Sequence, residues 1–86
     1  MTWTVEWTDR ARKDLRRLDR QVAQRAIRAV ERLAETGHGD VTRLQDEDPP
    51  EWRLRVGDWR VRFAYDFHVR TITVLRVLPR GRAYRD

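Results

Sequence analysis

The 86-residue sequence carries 19 Lys and Arg residues against 14 Asp and Glu, a formal net charge of +5. It contains no cysteine, which excludes disulfide bonds and thiolate metal sites, and its two histidines lack a zinc-ligand spacing. No apolar run approaches the about 20 residues of a membrane span, and no signal peptide precedes the first predicted strand. We therefore expect one domain over residues 1–86, in a cytosolic protein without a metal, a cofactor or a membrane partner. The basic charge points to nucleic acid or an acidic protein as the partner.

The pattern of apolar residues in the N-terminal part of the sequence predicts one strand and two helices. Residues 2–7 alternate between apolar and polar side chains, as in a half-buried strand. Apolar residues then recur at helical spacing over residues 9–18 and again over residues 20–36. Residues suited to cap these helices are Thr8 or Asp9, Asp19, and Gly37. We expect the apolar stripe of each helix to pack on a sheet.

Residues 37–50 are interpreted as a connector, because two glycines open the segment and two prolines end it. The acidic run Asp46-Glu47-Asp48 could suggest a metal site. Since it has no fixed ligand spacing, a solvated loop is the favoured interpretation.

A β-hairpin is predicted over residues 52–66, where two alternating runs flank Gly57 and Asp58. A two-residue turn there places Arg55 opposite Arg60 and, two positions further along, Arg53 opposite Arg62. Opposed side chains are about 5 Å apart, so four arginines in one square destabilise the sheet unless an anion lies among them. A guanidinium binds phosphate through two hydrogen bonds and stays charged. This face is therefore interpreted as a phosphate site, with a solvated basic face as the alternative.

A last strand is predicted over residues 71–78, and Pro79 ends it before a basic tail. The predicted fold is α+β, with two N-terminal helices on one face of a small, mainly antiparallel sheet in the order β-α-α-β-β-β. The eight residues expected to be buried are Trp3, Leu15, Ile27, Val30, Leu33, Leu54, Val61 and Phe63. The uncovered face then carries the four hairpin arginines.

The antiparallel arrangement brings the tail back to the arginine face. The end of the last strand lies beside Arg60, so Arg80, Arg82 and Tyr84 emerge next to it. His68 falls in the turn at the opposite end of the sheet. Because arginine does not deprotonate in proteins, Tyr84 is the one nearby group that could exchange a proton. Arginines for the phosphate and a tyrosine for the 2′-hydroxyl proton suit RNA cleavage by internal attack; a ring that only packs on the sheet edge is the alternative.

The sequence resembles the RelE/ParE superfamily of toxins from type II toxin–antitoxin pairs. The resemblance covers nearly the whole chain. It rests on the opening strand, the Ala-x-x-Asp-Leu-x-x-Leu pattern from Ala11 to Leu18, the Trp52–Phe63 hairpin, and the Val74-Leu-Arg-Val and Arg80–Tyr84 segments. The RelE branch implies a metal-independent endoribonuclease that cuts mRNA in the ribosomal A site, where the 2′-oxygen attacks the adjacent phosphate.

The resemblance also implies roles and partners. Arg60, Arg80 and Tyr84 would be catalytic, as the phosphate-stabilising arginine, the leaving-group arginine and the base. Arg53 and Arg55 fall where the RelE branch has basic residues that contact the RNA. Beside them, Arg62 and Arg82 are predicted to bind RNA as well. Many members have a histidine where this chain has Pro79, so the proton donor stays open. The partners would be the ribosome, mRNA and a neutralising antitoxin that folds on binding. The alternatives are a ParE-like inhibitor of DNA gyrase and a non-catalytic RNA-binding module, because a shared fold does not decide function.

Overall fold

The computed structural model of the protein describes residues 2–82. In chain order its elements are β1 (Thr4–Trp7), α1 (Asp9–Arg17), α2 (Arg20–Thr36), β2 (Val41–Arg43), β3 (Trp52–Val56), β4 (Trp59–Asp66), β5 (Thr71–Pro79) and a 3₁₀ turn (Arg80–Arg82). Tyr84 and the side chain of Arg82, both predicted to belong to the site, lie outside the described part of the chain.

The helices begin and end where the capping residues predict. The Thr8 hydroxyl accepts a hydrogen bond from the Ala11 N–H at 3.1 Å, and the Asp19 carboxylate accepts one from the Gln21 N–H at 3.1 Å. Gly37 ends α2 in the left-handed region, at φ 76°. These contacts satisfy backbone groups that a helix end otherwise leaves without partners.

Within residues 2–82 the sheet has five strands in the order β1-β5-β4-β3-β2, of which only β1 and β5 pair in parallel. Together with the two helices it forms the predicted α+β fold. The predicted element order omits β2, which pairs with β3 from Val41 opposite Leu54 to Arg43 opposite Trp52. Its three residues include two exposed ones, which is too short a pattern to separate a strand from a loop.

The central hairpin has the predicted register. Arg53 pairs with Arg62, and Arg55 with Arg60. Pairing between β4 and β5 shifts once, between Arg62 opposite Arg76 and Phe63 opposite Val74. Such a bulge gives one strand an extra residue and changes which face the following side chains take. It accounts for the apolar residues found on both faces of the predicted last strand.

The core lies between the helices and the sheet. Its fully buried large side chains are Phe63, Leu54, Ile72, Val30, Val61 and Val74. Of the eight residues predicted to be buried, five are. Trp3 and Leu15 are partly buried and pack against the core. The prediction was wrong for Ile27, which is half-buried and lies outside the buried core, because α2 directs Ala26 and Val30 inward instead.

A buried carboxylate ties α1 to β5. Asp14 is 8% exposed and accepts hydrogen bonds from Arg76 Nε and from the Val77 N–H, each at 2.9 Å. Buried charges are found where hydrogen bonds and an opposite charge compensate their desolvation, and Asp14 has both. The contact fixes the strand that leads into the 3₁₀ turn.

No helix within residues 2–82 is long and apolar enough to cross a membrane.

Candidate functional site

Four arginines gather around the tip of the β3–β4 hairpin, and we call Arg53, Arg55, Arg60 and Arg80 the arginine cluster. The hairpin register sets the first three. Arg80 joins them because Trp59 pairs with Pro79 and the Arg80 N–H donates to the Asp58 carbonyl at 2.9 Å. The predicted return of the tail to this end of the sheet is therefore what the structure shows for Arg80.

Arg60 lies at the centre of the cluster and is only 4% exposed. Its Nη1 donates to the carbonyls of Gly57 at 2.8 Å and Trp59 at 2.9 Å, which fixes the guanidinium at the hairpin tip. Its Nε is buried and makes no hydrogen bond to any residue from 2 to 82. An unmet buried donor of a charged group carries a large desolvation penalty. Arg60 therefore keeps a buried guanidinium donor that no residue from 2 to 82 satisfies.

The electrostatic surroundings of Arg60 favour an anion. Burial, followed by the charges of Arg53, Arg55 and Arg80, lowers the pKa of the Arg60 guanidinium from its ordinary value. Among the residues from 2 to 82, Asp40 acts in the opposite direction. A cation whose neighbours are cations gains from a bound negative charge, most of all where water is partly excluded. A phosphate can accept from several guanidinium groups at once.

Arg25 of α2 also reaches the hairpin tip, which sequence reasoning missed. Gly57 has φ +59°, and a Cβ built on it would lie 3.0 Å from Arg25 Nη2. A side chain at position 57 would therefore be strained and would press on the Arg25 guanidinium. Gly57 was visible in the sequence as a turn residue, but no local sequence pattern predicts that Arg25 of α2 approaches it.

Arg62 is engaged differently from the other hairpin arginines. It is 5% exposed, and its Nη2 lies 2.6 Å from Glu51 Oε1 and 3.4 Å from Glu47 Oε1. The acidic loop predicted to be solvated thus supplies Glu47 as a counter-charge on the arginine face. Arg62 is therefore compensated by two carboxylates of the chain itself. The prediction that four equivalent arginines face an anion was wrong for Arg62.

The remaining predicted residues are less informative. His68 is an exposed turn residue at the far end of β4, and its N–H donates to Asp66 Oδ1 at 3.0 Å. Pro79, the residue that left the proton donor open in the sequence analysis, pairs with Trp59 and has no group that could give up a proton. Within residues 2–82 no group of three or more His, Asp or Glu side chains is placed to hold a metal ion.

An aromatic surface lies at the end of the sheet away from the cluster. The Trp3 ring is 5.0 Å from Tyr65 and 5.5 Å from Phe67, and the Arg70 guanidinium lies 4.6 Å from the Trp3 ring centre. Phe67 and Val69 are 67% and 65% exposed. Exposed apolar groups of this kind often mark a protein contact.

The chain matches one family model over residues 5–84, described as the ParE toxin of type II toxin–antitoxin systems, parDE. The protein is thus a toxin of a type II toxin–antitoxin pair. Within that class it belongs to the RelE/ParE family, as the resemblance of its hairpin and tail predicted. No curated protein matches the chain significantly.

Three solved structures with the same fold are crystal structures of a toxin in complex with its antitoxin. The archaeal RelE–RelB complex from Pyrococcus horikoshii has 27% identity and a TM-score of 0.78, and the match covers 96% of this chain and 100% of that chain. The RelBE2 complex from Mycobacterium tuberculosis has 24% identity and a TM-score of 0.75, covering 93% and 100%. The RelB–RelE complex from Methanococcus jannaschii has 20% identity and a TM-score of 0.72, covering 92% and 94%. The last two show similarity of fold alone.

Proposed function

We propose that this toxin is a ribosome-dependent mRNA endoribonuclease that stops translation by cutting mRNA in the A site without a metal ion. The observation that supports this most is Arg60, a buried guanidinium with an unmet Nε among three further arginines. A site of fixed cations suits a reaction in which negative charge builds up on phosphate oxygens. The similarity in fold to RelE toxins supports the same proposal.

In the proposed reaction the 2′-hydroxyl of one nucleotide loses its proton to a base, and its oxygen bonds to the adjacent phosphorus. The bond from phosphorus to the 5′-oxygen breaks, and that oxygen takes up a proton. The products are a 2′,3′-cyclic phosphate and a 5′-hydroxyl end. Arg60 and Arg80 stabilise the charge on the phosphorane and on the leaving oxygen, and Tyr84 acts as the base.

Substrate placement falls to Arg53, Arg55 and Arg82 in this proposal. Arg62 takes a supporting role instead, because Glu51 and Glu47 already compensate its charge. It fixes the segment that precedes β3 and thereby positions Arg53 on the same strand. Arg53 and Arg55 lie two residues apart on that strand and project to the same face.

We further propose that an antitoxin neutralises this toxin, as RelB is paired with RelE in the similar solved complexes. A net charge of +5 suits a partner with an acidic segment that folds on binding. Co-purification of the toxin with the product of the adjacent open reading frame tests this. A non-toxic monomer with no such partner would contradict it.

Inhibition of DNA gyrase by protein–protein binding is the second candidate, favoured by the ParE description of the matched family. The two candidates separate after induction of the toxin in growing cells. Primer extension on ribosome-bound mRNA should show cuts at A sites, with chromosomal DNA intact. The Arg80→Ala variant is the control and should leave mRNA whole. DNA breaks and a DNA-damage response with intact mRNA would reject the nuclease proposal and favour gyrase.

A further inference from the structure

One flank of α2 carries three arginines that the proposed function does not use. Arg25, Arg28 and Arg32 follow each other at intervals of three and four residues, so they lie on one side of the helix. All three are exposed. No carboxylate of residues 2–82 lies within ion-pair distance of any of them. Their charges are therefore available to an outside anion.

This flank meets the arginine cluster at the hairpin tip. The Arg25 guanidinium lies over Gly57, where an added Cβ would be 3.0 Å from Nη2 and 3.8 Å from Cζ. The carbonyl of the same Gly57 accepts the hydrogen bond from Arg60 Nη1. One glycine thus separates a guanidinium of the helix layer from the central guanidinium of the cluster.

The flank also shares a cleft with the cluster. A cavity of about 440 Å³ lies between α2 and the sheet, and Arg28, Arg32 and Arg55 all line it. Asp40 and His38 lie on its wall, so one carboxylate faces three guanidinium groups. Arg55 belongs to both surfaces, which makes the basic region continuous from the uncovered face of the sheet to the helix.

We propose that Arg25, Arg28 and Arg32 form a phosphate track that continues from the arginine cluster and binds the sugar-phosphate backbone of RNA. The helical rise of about 1.5 Å per residue places Arg25 and Arg32 about 10 Å apart along the axis, longer than one nucleotide step. Side chains that follow a strand in this way bind phosphates without reading sequence. The track rests on the proposed function, in which the ligand is RNA and the arginine cluster binds its phosphate.

An acidic segment of the antitoxin is the alternative partner for the three arginines of the track. RNA is favoured because the track is continuous with the arginine cluster, the proposed phosphate site, and shares Arg55 with it. A protein helix would need apolar contacts as well as charge, and Ala29 and Leu54 are the only apolar residues lining this cleft among those described.

The test compares two triple variants that remove the same charge. Arg25, Arg28 and Arg32 are changed to Gln in one, and exposed cations of α1, Arg12, Lys13 and Arg16, in the other. Binding to ribosomes programmed with mRNA is measured over a range of KCl concentrations. The track variant should bind at least tenfold more weakly at low salt. Its slope of log K against log salt should fall by about 2, since each single-strand phosphate contact contributes about 0.7. The α1 variant should retain most of the affinity and slope.

Two forms of mRNA identify which RNA is bound. If the track holds the substrate strand, the loss should be larger with long mRNA than with mRNA that ends after the A-site codon. An equal loss with both would assign the track to ribosomal RNA, which is the same phosphate chemistry. Equal behaviour of the two triple variants would overturn the track, and so would normal ribosome binding with loss of the antitoxin complex. Failure of the wild-type toxin to bind ribosomes or cut mRNA would instead overturn the proposed function.

Discussion

Glu51 holds Arg62 through a single carboxylate oxygen, which lies 2.6 Å from Nη2 and 3.0 Å from Nε. Glu47 contacts the same Nη2 at 3.4 Å from a more exposed position, with 38% of its side chain accessible against 17% for Glu51. Two carboxylates thus compensate one buried guanidinium, and Glu51 is the more buried of the two.

The two glutamates should differ strongly in their effect on stability. Glu51→Ala leaves Arg62 buried without its closest counter-charge, and we expect a loss of roughly 3–5 kcal/mol in the free energy of unfolding. Glu47→Ala removes a longer and more exposed contact, for which we expect about 1 kcal/mol or less. Urea unfolding followed by tryptophan fluorescence measures both. Equal losses would mean that Glu51 does not dominate the pairing.

Loss of one cluster arginine should slow cleavage more than it weakens binding. Arg80→Ala removes an exposed side chain, and we expect about 10²–10³-fold slower single-turnover cleavage on the ribosome, as for one lost oxyanion donor. Arg60→Ala should have a similar effect, but it also removes the bonds to Gly57 and Trp59 that fix the hairpin tip. Arg60→Lys keeps the charge without the forked donors, so normal cleavage by that variant would show that geometry is unimportant there.

The role proposed for Tyr84 depends on its hydroxyl. Tyr84→Phe should reduce cleavage by about 10²–10⁴-fold while ribosome binding is retained, because only the proton-accepting group is removed. Single-turnover kinetics and ribosome pelleting separate these effects. If the Phe variant cleaves normally and Tyr84→Ala is impaired, the ring only packs, and the site has no identified base.

The burial of α2 side chains predicts an order of stability losses. Val30 is 1% exposed, and Val30→Ala should cost about 1.5–3 kcal/mol, close to the value of a buried valine side chain. Ile27 is half-buried, so Ile27→Ala should cost less than the about 2–5 kcal/mol found for large buried residues. Urea midpoints at constant slope measure the difference. A larger loss for Ile27 would contradict the orientation of the helix.

Alkaline pH should destabilise the protein through Tyr65. Burial raises the pKa of the Tyr65 hydroxyl above its ordinary value of 10, so the folded state holds the proton more tightly than the unfolded state. The resulting stability is fully present below about pH 10 and is lost as the pH rises through the folded-state value. Tyr65→Phe keeps the ring, so its unfolding free energy should fall less between pH 9 and pH 11.

Local sequence patterns predicted most of the fold. The caps at Thr8, Asp19 and Gly37 set the helices, and the two-residue turn at Gly57 and Asp58 fixed the hairpin register. Strand β2 escaped prediction because it takes its stability from pairing with β3 and not from its own short pattern. Ile27 was misplaced because helical periodicity defines an apolar stripe but not the rotation of the helix on the sheet.

Local sequence patterns also predicted part of the candidate site. Hairpin register gave the cross-strand arginine pairs, and antiparallel topology gave the position of Arg80 near Asp58. The contacts of Arg62 with Glu47 and Arg25 with Gly57 join separate parts of the chain, and no local pattern encodes them. Loop conformation and helix docking decide such contacts, and both depend on the completed packing.

The position of β5 in the sheet decides when the arginine cluster can form. This strand lies between β1 and β4, and β1 pairs with no other strand of the part of the chain that the structure describes. A nascent chain without residues 71–79 therefore cannot join its first strand to the hairpin. Arg80 follows β5 in the chain and reaches Asp58 only when that strand has docked. The arginine cluster is thus complete only when β5 has paired with β4.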